Sequence, residues 1–171
     1  MQIPDRFATE HFHFVNYTQV PESDHRQILE VRNHPDIACW METTDTISWA
    51  SHQNYVHSLA QRTDRVYFGV YENGGGKIIG SQSLNPLLKD IEGESGLYLF
   101  PQFQGRGWGK LMKQEFIAYI FNNDLLQHIT EKVKHTNIRN QQLNLSLGFE
   151  PTGKDEKYVY FRLTKDRFRG V

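Results

Sequence analysis

The sequence predicts a protein of the α/β class, more specifically α+β, with about seven strands in a mixed sheet and about four helices. Three observations support this prediction. Runs rich in Val, Tyr, Phe and Ile suit a pleated sheet, turns with glycine separate three such runs as in an antiparallel meander, and apolar residues elsewhere recur at helical spacing. The chain has 171 residues, 38% of them hydrophobic, which suits one core. We therefore expect a single domain over residues 1–171.

The first third of the chain predicts a strand followed by two helices. Alternating phenylalanines indicate a strand over residues 11–18, and the acidic segment after Pro21 opens a helix that runs to about Arg32. A short helical turn through Ile37, Trp40 and Met41 follows. Ser48 is then a suitable N-cap for a second helix, over residues 49–61.

The middle of the chain predicts three antiparallel strands. Residues 65–71 are dominated by Val, Tyr and Phe, and the Asn-Gly-Gly-Gly segment at 73–76 supplies the positive φ angles of a hairpin turn. The next strand begins at Lys77 and ends at Pro86. A loop then leads to the third strand, over residues 94–100.

The last third predicts two helices and three strands. A glycine-rich turn at 104–110 precedes a helix with apolar residues on one face, and residues 128–134 form a further strand. Asn137 caps a short helix that ends at Gly148. The segments 149–154 and 157–164 then form a closing hairpin.

The charge balance and cysteine content exclude several classes of function. Lys and Arg total 19 against 20 Asp and Glu, so no long-range field attracts nucleic acid or an anionic membrane. Cys39 is the only cysteine, which excludes a disulfide framework and a multi-cysteine metal site. We find no signal peptide, membrane-spanning run or metal-ligand motif. The chain is therefore expected to be cytoplasmic, to need no metal and to act on a small molecule.

The strongest chemical signal is Gln104-x-x-Gly107-x-Gly109 at the start of a helix. Glycines let the backbone approach a ligand, and the unpaired N–H groups of a helix start attract a phosphate. Such a turn is also found without a ligand. A nucleotide-hydrolysing P-loop is excluded because Leu111, and not Ser or Thr, follows Lys110. A dinucleotide-binding fold is disfavoured because the motif follows an antiparallel meander.

Together these features resemble the GCN5-related N-acetyltransferases over nearly the whole chain. The resemblance rests on the order of elements, on residues 96–101 running into the glycine turn, and on Asn137 with Gly148-Phe149 around the following helix. It implies a mixed seven-stranded sheet that splays apart after the fourth strand, with acetyl-coenzyme A as cosubstrate in the opening. The reaction it implies is direct attack of a neutral primary amine on the thioester.

The resemblance also implies which residues bind the cosubstrate. The backbone of Leu99, Phe100 and Pro101 would pair with the pantetheine arm like an added strand. Asn137 would contact the same arm, although it serves equally well as a simple helix cap. Arg106 and Lys110 are either charges at the rim of the phosphate site or solvated surface residues. The residues expected to hold the pyrophosphate are Gln104, Gly105, Arg106, Gly107, Trp108, Gly109 and Lys110.

Catalysis requires a base for the protonated amine and an acid for the departing thiolate. Glu94 is the expected base, because alternation with Gly96 and Tyr98 can aim it into the cleft; otherwise it is a strand-end residue. Many members of the family carry a tyrosine acid seven positions beyond the asparagine, but here that position is Asn144. Tyr98, His135 or solvent could replace it.

The first third of the chain resembles the branch that acetylates nucleotide-linked amino sugars, such as the pseudaminic acid pathway enzyme. Arg32, Trp49 and His52 are the expected substrate-binding residues, by charge pairing and stacking. Trp40, Met41 and Trp49 could instead be core residues. Two alternatives remain open, an acetyltransferase of protein N-termini, including those of ribosomal proteins, and a non-catalytic acyl-coenzyme A-binding domain. The oligomeric state, with a homodimer as one option, is also open.

Overall fold

The computed structural model describes residues 2–170. In chain order the strands are β1 (Arg6–Ala8), β2 (Phe12–Asn16), β3 (Val66–Glu72), β4 (Ile78–Leu88), β5 (Glu92–Leu99), β6 (His128–Lys134), β7 (Glu150–Lys154) and β8 (Tyr158–Thr164). The α-helices are α1 (Glu22–Asn33), α2 (Pro35–Ala38), α3 (Trp49–Leu59), α4 (Trp108–Asn122) and α5 (Ile138–Leu147). Short 3-10 turns cover Tyr17–Gln19, Pro101–Phe103 and Lys165–Arg167.

All eight strands form one mixed sheet in the order β1-β2-β3-β4-β5-β6-β8-β7. Neighbouring strands are antiparallel except β5 and β6, which pair in parallel over Glu92–Glu94 and His128–Thr130 only. Beyond these three residues the two strands separate, which confirms the predicted splay and the predicted α+β fold. The pairing ends there because β5 continues along β4, whereas β6 stays paired with β8.

The sequence-based count of seven strands and four helices is low by one in each case. The missed strand, β1, has three residues and pairs only with β2, so it is too short to produce an alternating pattern. The fifth helix, α2, is a single turn that begins at Pro35, slightly before the short helical turn that the sequence indicated through Ile37 to Met41. Proline is favoured there because its missing N–H has no partner in the first turn of a helix.

Several helix ends are set by single residues. Ser48 accepts a hydrogen bond from the Ser51 N–H and caps α3 as predicted. Gly148 ends α5 with φ at +98°, and a Cβ there would lie 2.0 Å from the Arg167 carbonyl oxygen. Gly107 begins α4 without a side-chain cap.

Helices cover both faces of the sheet. On one face, α4 packs Met112, Phe116 and Ile120 into a cluster with Phe14 and Phe68 of the sheet, and all five are fully buried. The other face carries a smaller cluster, to which α1 and α3 contribute. The helices therefore fix the positions of β5 and of the α4 start, between which the site lies. In the described residues, no helix is both long and apolar enough to cross a membrane.

Candidate active site

A cavity of about 1070 Å³ opens where β5 and β6 separate. Its walls come from residues 95–99 of β5, residues 131–134 of β6, the start of α4, the inner side of α5, and the segment from α1 to α3. The edge of β5 that faces this cavity does not pair with β6, so a ligand can reach the strand backbone here. The fold therefore joins the glycine turn and the first third of the chain in one continuous site.

The glycine turn forms one end of the cavity. Gly105 and Gly107 have φ angles of +79° and +80°, and a Cβ built on either residue would meet no atom within 4 Å. The open space lies in front of the α4 N-terminus, where no side chain caps the first turn. These features fit a pyrophosphate, which needs close backbone approach and N–H donors. On the other side of the turn, the side-chain amide of Gln104 donates to the Leu99 carbonyl oxygen at 3.0 Å.

The cavity concentrates positive charge although the chain is nearly neutral. Glu42 and Glu131 supply its two lining carboxylates among the described residues. The same lining carries six cationic side chains, Arg32, Lys110, Lys113, Lys132, Lys134 and Arg139. This excess of local positive charge suits a polyanionic cosubstrate.

The structure brings most of the predicted cosubstrate residues to the cavity. Those that line it are Leu99, Gln104, Gly105, Gly107, Gly109, Lys110 and Asn137. Asn137 also accepts a hydrogen bond from the Asn140 N–H, so it is both a helix cap and a lining residue.

Four predicted cosubstrate residues lie away from the cavity lining. Phe100 is buried in the smaller core cluster, and its N–H donates to the Ile79 carbonyl oxygen, so that N–H is not free for a cosubstrate. Trp108 stacks on Phe103, with ring centroids 5.9 Å apart. Pro101 and Arg106 are exposed on the turn.

The end of the cavity away from the glycine turn is built by α1 and the loop that follows α2. Asn33 exchanges two 2.9 Å hydrogen bonds with the backbone of Ile47 and so ties the loop to α1. Arg32 donates to the Thr43 carbonyl oxygen at 2.6 Å, and no carboxylate of the described residues pairs with its guanidinium. The guanidinium keeps its charge available at the cavity wall. Trp40 also lines the cavity and is 45% exposed.

The three residues considered for the core are in fact outside it. Trp40 and Met41 line the cavity. Trp49, a predicted substrate residue, does not; the Arg26 guanidinium lies 4.2 Å from the centre of its ring. Trp40 is therefore the tryptophan placed to stack on a ligand in the cavity.

His52 lines the cavity but is uncharged near neutral pH. Burial, followed by the effect of His25, lowers the pKa of His52 to about 4. His25 Nε2 lies 2.8 Å from the Tyr17 carbonyl oxygen and donates to it, so Nδ1 of a neutral His25 accepts from His52 Nε2 at 3.0 Å. His52 consequently offers a neutral ring to a ligand and no charge for a phosphate.

Tyr98 lines the centre of the cavity on β5. Burial raises the pKa of Tyr98 to about 12, even though hydrogen bonding to Tyr17 and Ser81 lowers it. The Tyr17 hydroxyl and Ser81 Oγ are 2.6 Å apart, and both residues line the same wall. The Tyr98 hydroxyl remains protonated at neutral pH and can donate a hydrogen bond.

Glu94 lies just behind the cavity wall. Its Oε1 is 3.4 Å from Nζ of Lys132, which does line the cavity and also pairs with Glu42. Burial raises the pKa of Glu94 in spite of Lys132, which lowers it. A raised carboxyl pKa suits a general base. Glu94 is not among the lining residues, so its predicted role as the base stays a prediction.

His135 is directed to the closing hairpin and away from the cavity lining. Its Nε2 lies 2.7 Å from the Asp155 carbonyl oxygen, and its backbone N–H donates to the Lys157 carbonyl oxygen. In this position His135 is occupied by structural contacts.

A buried polar cluster in the cavity wall was not foreseen from the sequence. Lys113 Nζ contacts Glu131 Oε2 at 2.8 Å, Asn144 Oδ1 at 2.5 Å and Asn140 Oδ1 at 3.2 Å. The Asn144 amide also donates to Glu131 Oε2 at 2.9 Å. The signal in the sequence was a lysine next to the apolar stripe of α4, which by itself does not reveal a partner.

A second group of polar residues lies outside the cavity. Potential ligand atoms of Glu10, His11 and Glu115 lie within 4.8 Å of one another. The Glu115 carboxylate already accepts from the Thr9 hydroxyl, the His11 N–H and the His11 ring. These bonds fasten α4 to the turn between β1 and β2.

Comparison with known proteins gives concordant matches. Residues 16–150 match the family described as an acetyltransferase (GNAT) domain. The chain is 29% identical over 160 residues to the acetyltransferase PseH of a Campylobacter jejuni strain, covering 91% of this chain and 96% of the relative. With PseH of a second strain it is 32% identical over 109 residues, 63% of this chain and 65% of that relative, so this match spans less than two thirds of the relative. The crystal structure of Campylobacter jejuni PseH with acetyl coenzyme A superimposes with a TM-score of 0.73 at 21% identity, covering 90% and 99% of the two chains.

Proposed function

The chain belongs to the GNAT acetyltransferase family, and from this premise we propose that it transfers the acetyl group of acetyl-coenzyme A to the primary amine of a nucleotide-linked amino sugar. The observation that carries the proposal is the continuous cavity. One end is a glycine turn suited to a pyrophosphate, and the other is lined by Arg32 and Trp40. Two substrates can therefore meet beside the backbone of β5.

The residues that line the cavity indicate how it would hold the cosubstrate. The α4 N-terminus and Lys110 would hold the cosubstrate phosphates, while the unpaired edge of β5 would bind the pantetheine arm as an added strand. Such pairing directs backbone N–H groups at the thioester carbonyl, where negative charge develops during attack. A base within reach of the amine, for which Glu94 is our candidate, would complete the machinery.

The acceptor end supports a substrate that carries a phosphate and a planar ring. Arg32 has no carboxylate partner in the described residues, and its planar guanidinium suits a phosphate. The exposed face of Trp40 suits a base or a sugar ring. The resemblance of the first third of the chain to the branch that acetylates nucleotide-linked amino sugars supports the same class of acceptor. Since Cys39 is a free, exposed thiol, we place the enzyme in the reducing cytoplasm.

The proposal predicts the ranking of acceptors in a thiol-release assay with acetyl-coenzyme A. A nucleotide-linked amino sugar should be acetylated with a kcat/KM at least about tenfold above the same sugar without its nucleotide. The panel should include peptides with free N-termini and a polyamine. Higher kcat/KM for a peptide than for every amino sugar would move the assignment to protein N-termini, which the relatives do not favour.

The nucleotide should be recognised through Arg32. Arg32→Ala removes a charge-assisted hydrogen bond, so KM for the nucleotide-linked sugar should rise roughly 10- to 100-fold. KM for the free amino sugar should stay nearly unchanged, which separates this effect from loosening of the loop at Thr43. Arg26→Ala is the matched control, because Arg26 lies on the same helix but pairs with Glu22 outside the cavity. An equal rise in KM for both acceptors would contradict recognition of the phosphate by Arg32.

A further inference from the structure

The cavity wall contains a buried ion pair that the steps above do not use. Lys113 of α4 and Glu131 of β6 are 1% and 4% exposed, yet both line the cavity. Burying two charges requires much desolvation, and replacing such a pair by apolar residues often leaves stability unchanged or higher. Stability therefore does not account for this pair, and its place on the cavity wall points to chemistry.

The position of Lys113 relates it to the cosubstrate. Lys113 is one helical turn beyond Gly109, about 6 Å further along α4, so it lies on the same side of the helix as the glycine turn. Asn140 and Asn144 hold the ammonium from the opposite wall on α5. Asn144 also occupies the position where a tyrosine acid was expected, and here its amide oxygen accepts a hydrogen bond from Lys113 instead.

We propose that Lys113 is the acid of the reaction, giving a proton from Nζ to the sulfur of departing coenzyme A. The inference rests on the proposed acetyl transfer. The hydrogen now directed at Asn140, over the longest of the three contacts at 3.2 Å, is the one that turns to the sulfur. Asn144 and Glu131 keep the other two hydrogens and so hold Nζ in place.

The step balances within the cavity. The neutral amine attacks the carbonyl carbon, the carbon–sulfur bond breaks with its electron pair moving to sulfur, and the Nζ proton converts the thiolate to the thiol. The new amide nitrogen then loses its extra proton, which returns to the lysine amine and restores the ammonium. Glu131 can carry this proton, since its Oε1 has no hydrogen-bond partner in the described residues although it is buried.

The first test needs only the parent protein, without an acceptor. Calorimetry should compare coenzyme A with desulfo-coenzyme A between pH 7 and pH 9. An ammonium beside the sulfur favours the thiolate, so the preference for coenzyme A should grow as pH rises, by about tenfold or more. Of the charged groups in the described residues, Glu131 is the one within hydrogen-bond distance of Nζ. A preference that stays flat with pH would overturn the inference.

Variants distinguish the electrostatic effect of the Lys113 charge from the role of Lys113 as a proton donor. The double variant Lys113→Met/Glu131→Leu leaves no buried charge unpaired, and it should lose the pH-dependent preference and lower kcat by about 100-fold. Lys113→Arg should keep the preference but not kcat, because a guanidinium does not release its proton. Adding Asn144→Tyr to the double variant should restore part of kcat, because a phenol can donate.

The control removes an ion pair outside the cavity. Lys165→Met/Asp124→Asn breaks a surface pair of 2.7 Å and should behave as the parent. If the folded Lys113→Met/Glu131→Leu variant keeps the kcat of the parent and its pH-dependent preference for coenzyme A, the buried pair has only a structural role. A parent that binds both compounds equally at every pH would overturn this inference alone. A parent that binds neither would overturn the proposed function as well.

Discussion

Replacing Gly107 with valine should abolish binding of acetyl-coenzyme A while the fold persists. Gly107 has a φ of +80°, and a side chain there would occupy the open space in front of α4 that the pyrophosphate requires. The affinity measured by calorimetry should fall at least about 100-fold, as expected when several phosphate contacts are lost together.

Gly74→Val is the matched control for this substitution. Gly74 has nearly the same backbone angle, φ +82°, and also has no atom within 4 Å of a built Cβ, but it lies in the hairpin turn between β3 and β4. Both variants should lose about 1–2 kcal/mol of unfolding free energy from the left-handed backbone. Only Gly107→Val should lose the cosubstrate. Unchanged affinity in a folded Gly107→Val protein would remove the basis for the phosphate site.

Replacing Glu94 with glutamine should lower kcat by about 10²- to 10⁴-fold without weakening cosubstrate binding, if Glu94 takes the proton from the amine directly or through one water. Burial raises the pKa of Glu94, which brings the carboxylate closer to the strength that a base needs. The deficit should shrink as pH rises, because more of the free amine is then neutral without help. A pH–rate profile of both proteins measures this convergence.

Glu92→Gln provides the control on the same strand. Glu92 is two residues before Glu94 and forms its own contact with His128 at 2.7 Å, outside the cavity. Its substitution should change kcat by less than about threefold. Parallel pH–rate profiles for Glu94→Gln and the parent would show that Glu94 serves only as a partner of Lys132.

The sequence predicted well those features that depend on local backbone preference. Ser48 and Asn137 were identified as helix caps because a short polar side chain must lie beside unpaired N–H groups, whatever surrounds it. The turns at Gly107 and Gly148 were predicted from a glycine beside a helix end, and both residues have the positive φ angles that favour glycine. The strand β6 was predicted to the residue, since its alternation is continuous. By contrast, β1 carries too few residues for any pattern.

The residues of the candidate site were predicted less completely than the secondary structure. Whether a residue lines a cavity depends on the direction of its side chain, which the sequence does not give. Gly107, Gly109 and Lys110 follow from a motif at a helix start, and the cavity includes all three. For Trp40 and Trp49 the spacing could not decide which ring turns to the ligand. The structure points Trp40 to the cavity and leaves Trp49 beside Arg26.

The sequence by itself determined the order of the main elements, the glycine turn at the start of α4 and the absence of the expected tyrosine at Asn144, since each depends on residues close together in the chain. Tertiary structure was needed to bring Lys113, Glu131 and Asn144 together, across 31 residues of separation. No local pattern encodes that contact, because it joins side chains of α4, β6 and α5, which are far apart in the chain. Burial then forces the charges to pair, since an ammonium without partners would be too costly to desolvate.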